Sequence, residues 1–201
     1  AWAQVPLGTA SNFAVLGGTA VTCTAGSVVG DVGISPGITA SFTNTGCTVA
    51  GGTPPATNPA AASARTDFLN AYAVLRSAYC TQTLTGTLAG LDLAPGVYCV
   101  SAEAKTGVLT LTGPSNGVWT FLVNGALTGT NFSVVMASGG QPSNVFWAPS
   151  AGATMTTSVF QGNILAGDAI DGSITLTGGT LAGRALANVA VTMTTASVIG
   201  R

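Results

Sequence analysis

Few side chains in this chain of 201 residues could perform acid, base or metal chemistry. Charged residues make up 5% of the sequence, and histidine, the commonest general base and metal ligand, is absent. Asp168, Asp171 and Arg184 could approach one another as a site that cleaves acidic polysaccharides. A solvated turn with a surface ion pair is the interpretation we favour for them. The sequence therefore predicts a protein that is not an enzyme and has no metal site and no cofactor.

The charge balance argues against two classes of partner. The net charge is −1 with five basic residues, too few to form a groove for nucleic acid or a patch for anionic membranes. The mean hydropathy is +0.54. No run reaches the ~18 uninterrupted apolar residues that a spanning helix needs. We expect a soluble, mainly β protein.

The four cysteines indicate disulfides rather than a metal site, because their number is even and no Cys-x-x-Cys pair or His is present. Three pairings are possible, and we favour Cys23–Cys47 with Cys80–Cys99 because these close short loops. Free buried thiols are the alternative, mainly for the first pair. Residues 1–3 are a remnant of a signal peptide or of cloning, and residues 4–201 form one domain. Export from the cytoplasm follows as the expected localisation.

One segment has helical rather than strand periodicity. Asn58 suits an N-cap and Pro59 the first helical position. Apolar residues then recur every three or four positions, at Ala61, Ala64, Phe68, Tyr72, Leu75 and Tyr79. The pattern predicts one amphipathic helix over about 59–79.

The C-terminal half consists of repeats with three strand-like pieces each. The repeats cover residues 144–161, 162–182 and 183–201, with a looser copy before them. Repeats this small cannot bury their own faces, so they predict a solenoid, and three short strands per turn predict a triangular β-helix. The first piece of each repeat is apolar at most positions, so we expect it to be covered on both sides and the helix to lie along that face.

The second piece has the pattern apolar-Thr-apolar-Thr in most repeats. It occurs at residues 21–24, 42–45 and 109–112, and at the pairs 128/130, 154/156, 175/177 and 192/194, with Asn44 and Gly129 as exceptions at the apolar position. Alternation turns both threonines outward, so stacked coils would form a two-column grid of Thr. An outer strand can carry Thr for its β propensity alone. A surface selected only for solubility also carries charged residues, and these positions have none. The pattern therefore favours a partner that is itself flat, periodic and uncharged.

The sequence as a whole resembles the β-solenoid ice-binding proteins that cold-adapted microbes secrete. The matching stretches are residues 7–18, 30–37, 93–99, 144–147, 162–166 and 183–187. The resemblance implies a discontinuous right-handed β-helix with one long α-helix alongside. It also implies adsorption to ice, thermal hysteresis and inhibition of recrystallisation without catalysis. The expected partners are the ice surface and its ordered water, bound by a monomer.

The family's ice face is associated with a loose Thr-[Ala/Gly]-x-[Thr/Asn] pattern. It matches the corners that begin at Thr24, Thr45, Thr128 and Thr177, whereas the residues after Thr157 and Thr195 depart from it. The sequence leaves open whether the strand or the adjoining corner meets ice, and we favour the strand. The candidate site residues are Thr22, Thr24, Ser27, Thr43, Thr45, Thr48, Thr128, Thr130, Asn131, Thr154, Thr156, Thr157, Thr175, Thr177, Thr180, Thr192 and Thr194. The alternative function is an extracellular adhesive or glycan-binding β-helix module.

Overall fold

The computed structural model describes residues 4–37, 41–53 and 59–200. The structure is mainly β, with one long α-helix, α1 (Pro59–Arg76), and a short 3₁₀ turn at Gly8–Asn12 before the first strand. The strands, in chain order, are β1 (Phe13–Gly17), β2 (Ala20–Thr24), β3 (Ser27–Val29), β4 (Asp31–Ile34), β5 (Phe42–Thr45), β6 (Thr48–Ala50), β7 (Gln82–Leu84), β8 (Asp92–Leu93), β9 (Gly96–Ser101), β10 (Lys105–Thr112), β11 (Trp119–Asn124), β12 (Leu127–Ala137), β13 (Val145–Pro149), β14 (Ala153–Thr156), β15 (Val159–Gln161), β16 (Asn163–Ala166), β17 (Ile174–Thr177), β18 (Thr180–Ala182), β19 (Ala185–Ala187), β20 (Ala190–Thr194) and β21 (Ser197–Ile199).

All of the pairings between these strands are parallel, and they form two sheets. The first sheet has the order β4-β1-β19-β16-β13-β11-β9-β7. The second sheet has two arms that share the long strand β12. Its first arm is β5-β2-β20-β17-β14-β12, and its second arm is β12-β15-β18-β21-β3-β6, with β10 and β8 continuing beyond β12. Each of the predicted repeats supplies one strand to the first sheet and one to each arm.

The stacking order departs from the chain order at one place. The last coil, β19 to β21, lies between the coil of β1 to β3 and the coil of β16 to β18. The amide of Gly200 also donates to the Val29 carbonyl oxygen at 2.9 Å. The last coil therefore stacks directly on the first, which agrees with the discontinuous solenoid that the resemblance implied.

The helix covers the first sheet, as the sequence predicted. Ala61, Ala64, Phe68 and Leu75 are buried and pack in one cluster with first-sheet residues such as Leu165. The 18 residues of α1 span about 27 Å at 1.5 Å per residue. That is most of the ~34 Å spanned by eight strands.

The helix ends earlier than predicted, at Arg76 rather than Tyr79. The Tyr79 side chain is 92% exposed, so its assignment to the apolar stripe was wrong, and Ala71 takes a buried place instead. Four residues after the end of the helix, Cys80 is joined by a disulfide to Cys99 in β9. Tyr72 is half-buried, and its hydroxyl donates to the Pro149 carbonyl oxygen. The proposed N-cap, Asn58, and the remnant at residues 1–3 lie outside the described residues.

A second apolar cluster fills the space between the sheets. Phe121 stacks on Trp147 with ring centroids 3.9 Å apart, and Phe160 approaches the same indole at 4.9 Å. Trp119 and Trp147 are fully buried. They therefore lie in the core.

Candidate functional site

The first arm of the second sheet places twelve threonines in two continuous columns, which we call the threonine grid. The first column is Thr43, Thr22, Thr192, Thr175, Thr154 and Thr128. The second column is Thr45, Thr24, Thr194, Thr177, Thr156 and Thr130. Each member is the direct register partner of its neighbours in the column. With coils about 4.8 Å apart and alternate residues about 6.6 Å apart, the grid is about 24 Å long.

Strand alternation fixes which side chains face outward. The positions between the two columns are filled mainly by core residues, and Cys23, Met155, Leu176 and Met193 are at most 3% exposed. No grid threonine is buried; each is half-buried or exposed. Because Thr is β-branched, its χ1 choices are few, and this packing holds the methyl and hydroxyl groups in a comparatively rigid array.

Charged side chains lie away from the grid. Arg65, Asp67 and Arg76 are on the helix, on the other sheet, whereas Asp168 and Asp171 occupy the turn that enters β17. Among the described residues, no outward position of the grid carries a charged or titratable group. The array can therefore form hydrogen bonds and apolar contacts, but it offers no ion pair.

One predicted strand of the grid belongs elsewhere. Thr110 and Thr112 lie in β10, where they pair with Val135 and Ala137 of the second arm. The register between β10 and β12 shifts between Lys105 and Gly107, so the Thr-x-Thr pair of this coil falls beyond the corner. The sequence predicted seven strands in the grid. The structure has six, because β10 is not one of them.

The corner after each grid strand adopts one conformation throughout. The residue after the second threonine has a positive φ in all six coils. We call these the corner residues: Ala25, Gly46, Asn131, Thr157, Gly178 and Thr195. The backbone amides of four of them, Ala25, Thr157, Gly178 and Thr195, bind the neighbouring coil, as when Thr157 N–H donates to the Thr177 carbonyl oxygen at 2.8 Å.

Asn131 is one of these corner residues, which corrects its predicted place. The four-residue pattern was aligned from Thr128, but Gly129 takes the inward position beside Met155, so the equivalent corner begins at Thr130. Asn131 therefore aligns with Thr157 and not with Thr48 or Thr180. Its side-chain oxygen accepts a hydrogen bond from Thr157 Oγ1 at 2.6 Å.

A further column begins the second arm. It pairs in register Thr48, Ser27, Ser197, Thr180, Val159 and Ser133. Ser27, Thr48 and Thr180 are thus together as predicted. Sequence reasoning missed Ser133 and Ser197, although aligning each Thr-x-Thr pair with the next would have found them. Ser27 Oγ and Ser197 Oγ share a hydrogen bond of 2.7 Å.

Both predicted disulfides are present. Cys23–Cys47 joins β2 to the corner after β5, with Cα atoms 5.9 Å apart, and thereby fastens the coil at the end of the grid. Cys80–Cys99 joins the chain after the helix to β9, with Cα atoms 5.4 Å apart.

Two of the three residues considered for catalysis, Arg184 and Asp168, have structural partners for their side chains. The Arg184 guanidinium donates to the Ser11 carbonyl oxygen and to Asn163 Oδ1. Asp168 Oδ1 accepts the backbone amides of Ile170 and Asp171, and these bonds lower the pKa of the carboxyl. Asp168 thus stabilises its own turn, and Arg184 bridges coils. Within the described ranges, no group of three or more His, Cys, Asp or Glu side chains could hold a metal ion.

Two other polar features are structural. Asp31 Oδ1 accepts the Gly52 amide at 2.6 Å and thereby links two neighbouring coils. Lys105, which the sequence did not single out, is buried at the β7–β8 end of the stack. Its Nζ donates to the carbonyl oxygens of Gly86, Ser101 and Glu103. Burial lowers the pKa of Lys105, and the three carbonyls stabilise its charged form.

Comparison with known sequences finds one kind of relative. A family model described as Ice-binding-like matches residues 15–199. An "Ice-binding protein" from Nostoc sp. (strain HG1) is 43% identical over 201 residues, covering 96% of this chain and 72% of that protein. "Ice-binding protein K3-B1" from Typhula ishikariensis is 30% identical, covering 83% and 78% respectively.

Solved structures with the same fold include one of an ice-binding protein from the Antarctic ascomycete Antarctomyces psychrotrophicus. It superposes with a TM-score of 0.87 and 28% identity, covering 99% of both chains. The crystal structure of an ice-binding protein from an Antarctic biological consortium gives a TM-score of 0.86 at 30% identity, covering 98% of this chain and 91% of that one. In the part of this chain that the structure describes, no helix is long and apolar enough to cross a membrane.

Proposed function

We propose, from the premise that this chain belongs to the ice-binding-like family, that it adsorbs to ice through the threonine grid. The observation that carries the proposal is the unbroken in-register pairing of twelve outward threonines on six strands. A surface intended only to be soluble would not need identical residues in register at every coil.

The chemistry of the array suits a water lattice. Methyl groups restrict the orientations of adjacent water, and hydroxyl groups both donate and accept hydrogen bonds. A rigid array loses little conformational entropy when it meets a rigid lattice. Each threonine contributes little, and the cooperative contact of many produces adsorption. Bound molecules would then impede growth of the ice between them, giving thermal hysteresis and inhibiting recrystallisation.

The remaining features of the proposal follow from the architecture. Residues 4–201 form one domain, a right-handed solenoid with three faces: the first sheet and the two arms of the second. Two disulfides support an extracellular location. The protein acts as a monomer on ice and its ordered water, without catalysis and without a nucleic acid partner.

Nanolitre osmometry of the purified protein tests the proposal. We expect a gap between the melting and growth temperatures and faceted crystals, compared with an equal concentration of a protein that does not bind ice. Round crystals and no gap, with circular dichroism showing folded protein, would contradict it. The adhesive alternative predicts that second result together with binding to a glycan array.

A further inference from the structure

The six corner residues share a backbone conformation that L-amino acids adopt at a cost. Their φ angles lie between 47° and 75°. Glycine has no Cβ to clash in this region, and Asn tolerates it better than most residues. A β-branched residue there is a genuine outlier. Two of the corners nevertheless carry threonine, Thr157 with φ 47° and Thr195 with φ 51°.

Packing does not require threonine at these corners. Thr157 and Thr195 are both exposed. A Cβ placed on Gly46 would meet nothing within 4 Å, and one on Gly178 would make ordinary contacts with Thr157. The space at this corner is therefore open and imposes no choice of side chain.

Backbone bonding does not require threonine either. Thr195 N–H donates to the Thr24 carbonyl oxygen at 2.8 Å, and Gly178 N–H donates in the same way to Thr194. Glycine makes the bond as well as threonine does. The strained side chains persist without a packing or backbone reason, which is typical of positions kept for function.

We propose that Asn131, Thr157 and Thr195 form a third column of the ice-contacting surface, beside the second column of the grid, with Gly178 standing between Thr157 and Thr195. This inference rests on the proposed function. Thr157 directly follows the grid residue Thr156, and Thr195 directly follows Thr194, so each adds a hydroxyl and a methyl at the grid's edge.

Two hydrogen bonds orient the hydroxyl groups of this column. Thr157 Oγ1 donates to Asn131 Oδ1 at 2.6 Å, linking adjacent coils. Thr195 Oγ1 donates to the carbonyl oxygen of Thr194 at 2.7 Å. Among the described residues, neither hydroxyl accepts a hydrogen bond and Nδ2 of Asn131 donates none. The hydroxyl lone pairs and the Nδ2 hydrogens can therefore bond with water. The column therefore presents fixed acceptors and donors at the edge of the uncharged array.

The test replaces strained side chains by glycine and measures both stability and adsorption. Thr195→Gly is the main variant, because among the described residues the Thr195 hydroxyl bonds only with the preceding carbonyl. Thr157→Gly/Thr195→Gly extends it. Ala25→Gly is the matched control, since it relieves the same backbone conformation at an exposed corner without removing a hydroxyl.

For Thr195→Gly we expect a Tm at or above that of the wild type, with thermal hysteresis about two-fold lower, the trade-off typical of a strained functional residue. The double variant should lose more hysteresis, and Ala25→Gly should keep the wild-type value. Wild-type hysteresis in Thr195→Gly and in the double variant would overturn the third column. Loss of folded structure at 0 °C in Thr195→Gly would also overturn it, because the side chain would then be structural.

These outcomes separate the inference from the proposed function. A wild-type protein without hysteresis contradicts ice adsorption itself. A different result overturns only the third column: the wild type shows hysteresis, a grid variant loses it, and Thr195→Gly and Thr157→Gly/Thr195→Gly both retain it.

Discussion

Thr22 pairs in register with Thr192, so the first and last coils of the described chain are neighbours in the threonine grid. The first column continues on one side through Thr43 and on the other through Thr175. The grid is therefore assembled from two parts of the chain that are remote in sequence. Its continuity depends on the docking of the N-terminal coils onto the last one.

Deleting residues 185–199 should prevent cooperative folding rather than shorten the stack by one coil. These residues form β19, β20 and β21, which lie between the coils of β1 to β3 and β16 to β18. Their loss exposes apolar edges on both sides, including Leu16 and Leu165, which both lose their pairing partner Leu186. Thermal unfolding followed by circular dichroism is the measurement. A cooperative transition near the wild-type Tm would contradict the stacking order.

Removing either disulfide should lower the stability of the protein by a similar amount, but only one of the two removals should weaken adsorption to ice. The two disulfides close loops of similar length, with sequence separations of 24 and 19, so removal of either should cost about 3 kcal/mol of unfolding free energy. Cys23→Ala/Cys47→Ala should also lower hysteresis, because the end coil with Thr43 and Thr45 loses its covalent link to the grid.

Cys80→Ala/Cys99→Ala is the matched control, since that bridge lies on the helix side of the fold. Both variants should be compared at 0 °C, where each is expected to stay folded. Equal hysteresis in the two variants would show that the end coil does not take part in adsorption.

Adsorption should not depend on pH while the protein is folded, because the grid has no titratable group. Stability should depend on pH through the carboxylates. Hydrogen bonds from the Thr9 hydroxyl and amide lower the pKa of Asp67, so folding favours its ionised form. That contribution is complete above the ordinary Asp range, about 4, and is lost as the pH falls through the lowered pKa.

Asp67→Asn is the variant that isolates this contribution. Its Tm should fall less between pH 7 and pH 2 than the wild-type Tm does, although Glu103 and Asp168, whose pKa values are also lowered, retain part of the effect. A hysteresis that titrates within the folded range would point to a charged group at the ice contact and against the grid.

Lys105→Met should destabilise the β7–β8 end of the stack. The substitution keeps most of the apolar stem but leaves the carbonyl oxygens of Gly86, Ser101 and Glu103 without their shared donor. Losing these three partly buried, charge-assisted hydrogen bonds should cost about 3 kcal/mol in total. Urea denaturation measures this change. Because Lys105 lies outside the grid, hysteresis at 0 °C should be retained, and its loss would be an unexpected link between this end and the ice contact.

Much of the fold could be predicted from local patterns. Apolar residues recur about every 3.6 positions in the helix and every 2 positions in the strands, because those are the side chains that each element buries. These periods therefore predicted that the helix covers the first sheet and that residues such as Thr156 and Thr177 face outward. The end of the helix could not be found this way, because the apolar spacing continues to Tyr79, beyond the last helical residue, Arg76.

The pairing register of the strands was harder to predict than which of their side chains face outward. A motif of fixed spacing placed Asn131 with Thr180, whereas aligning Thr128-Gly129-Thr130 with Thr154-Met155-Thr156 gives the observed register. For Thr110 the sequence contains no such signal, because its pair has the same pattern as a grid strand. Only the pairing of β10 with β12 moves it to the second arm.

The backbone conformation of the corner residues and the burial of Lys105 could not be predicted from the sequence either. Nothing in the residue types predicts a positive φ at Thr157 or Thr195, since threonine is disfavoured there. Lys105 in isolation is typical of an exposed position, and only the three converging carbonyls explain its burial.

The most direct test of the central claim compares Thr177→Tyr with Thr66→Tyr by nanolitre osmometry. Thr177 is exposed in the second column of the grid, and Thr66 is exposed on the helix, on the other sheet. We predict that tyrosine at 177 holds the flat array away from the ice lattice and abolishes most of the hysteresis with the Tm unchanged. Tyrosine at 66 should leave both unaltered. Full hysteresis in Thr177→Tyr would contradict the assignment of the threonine grid as the ice-binding surface.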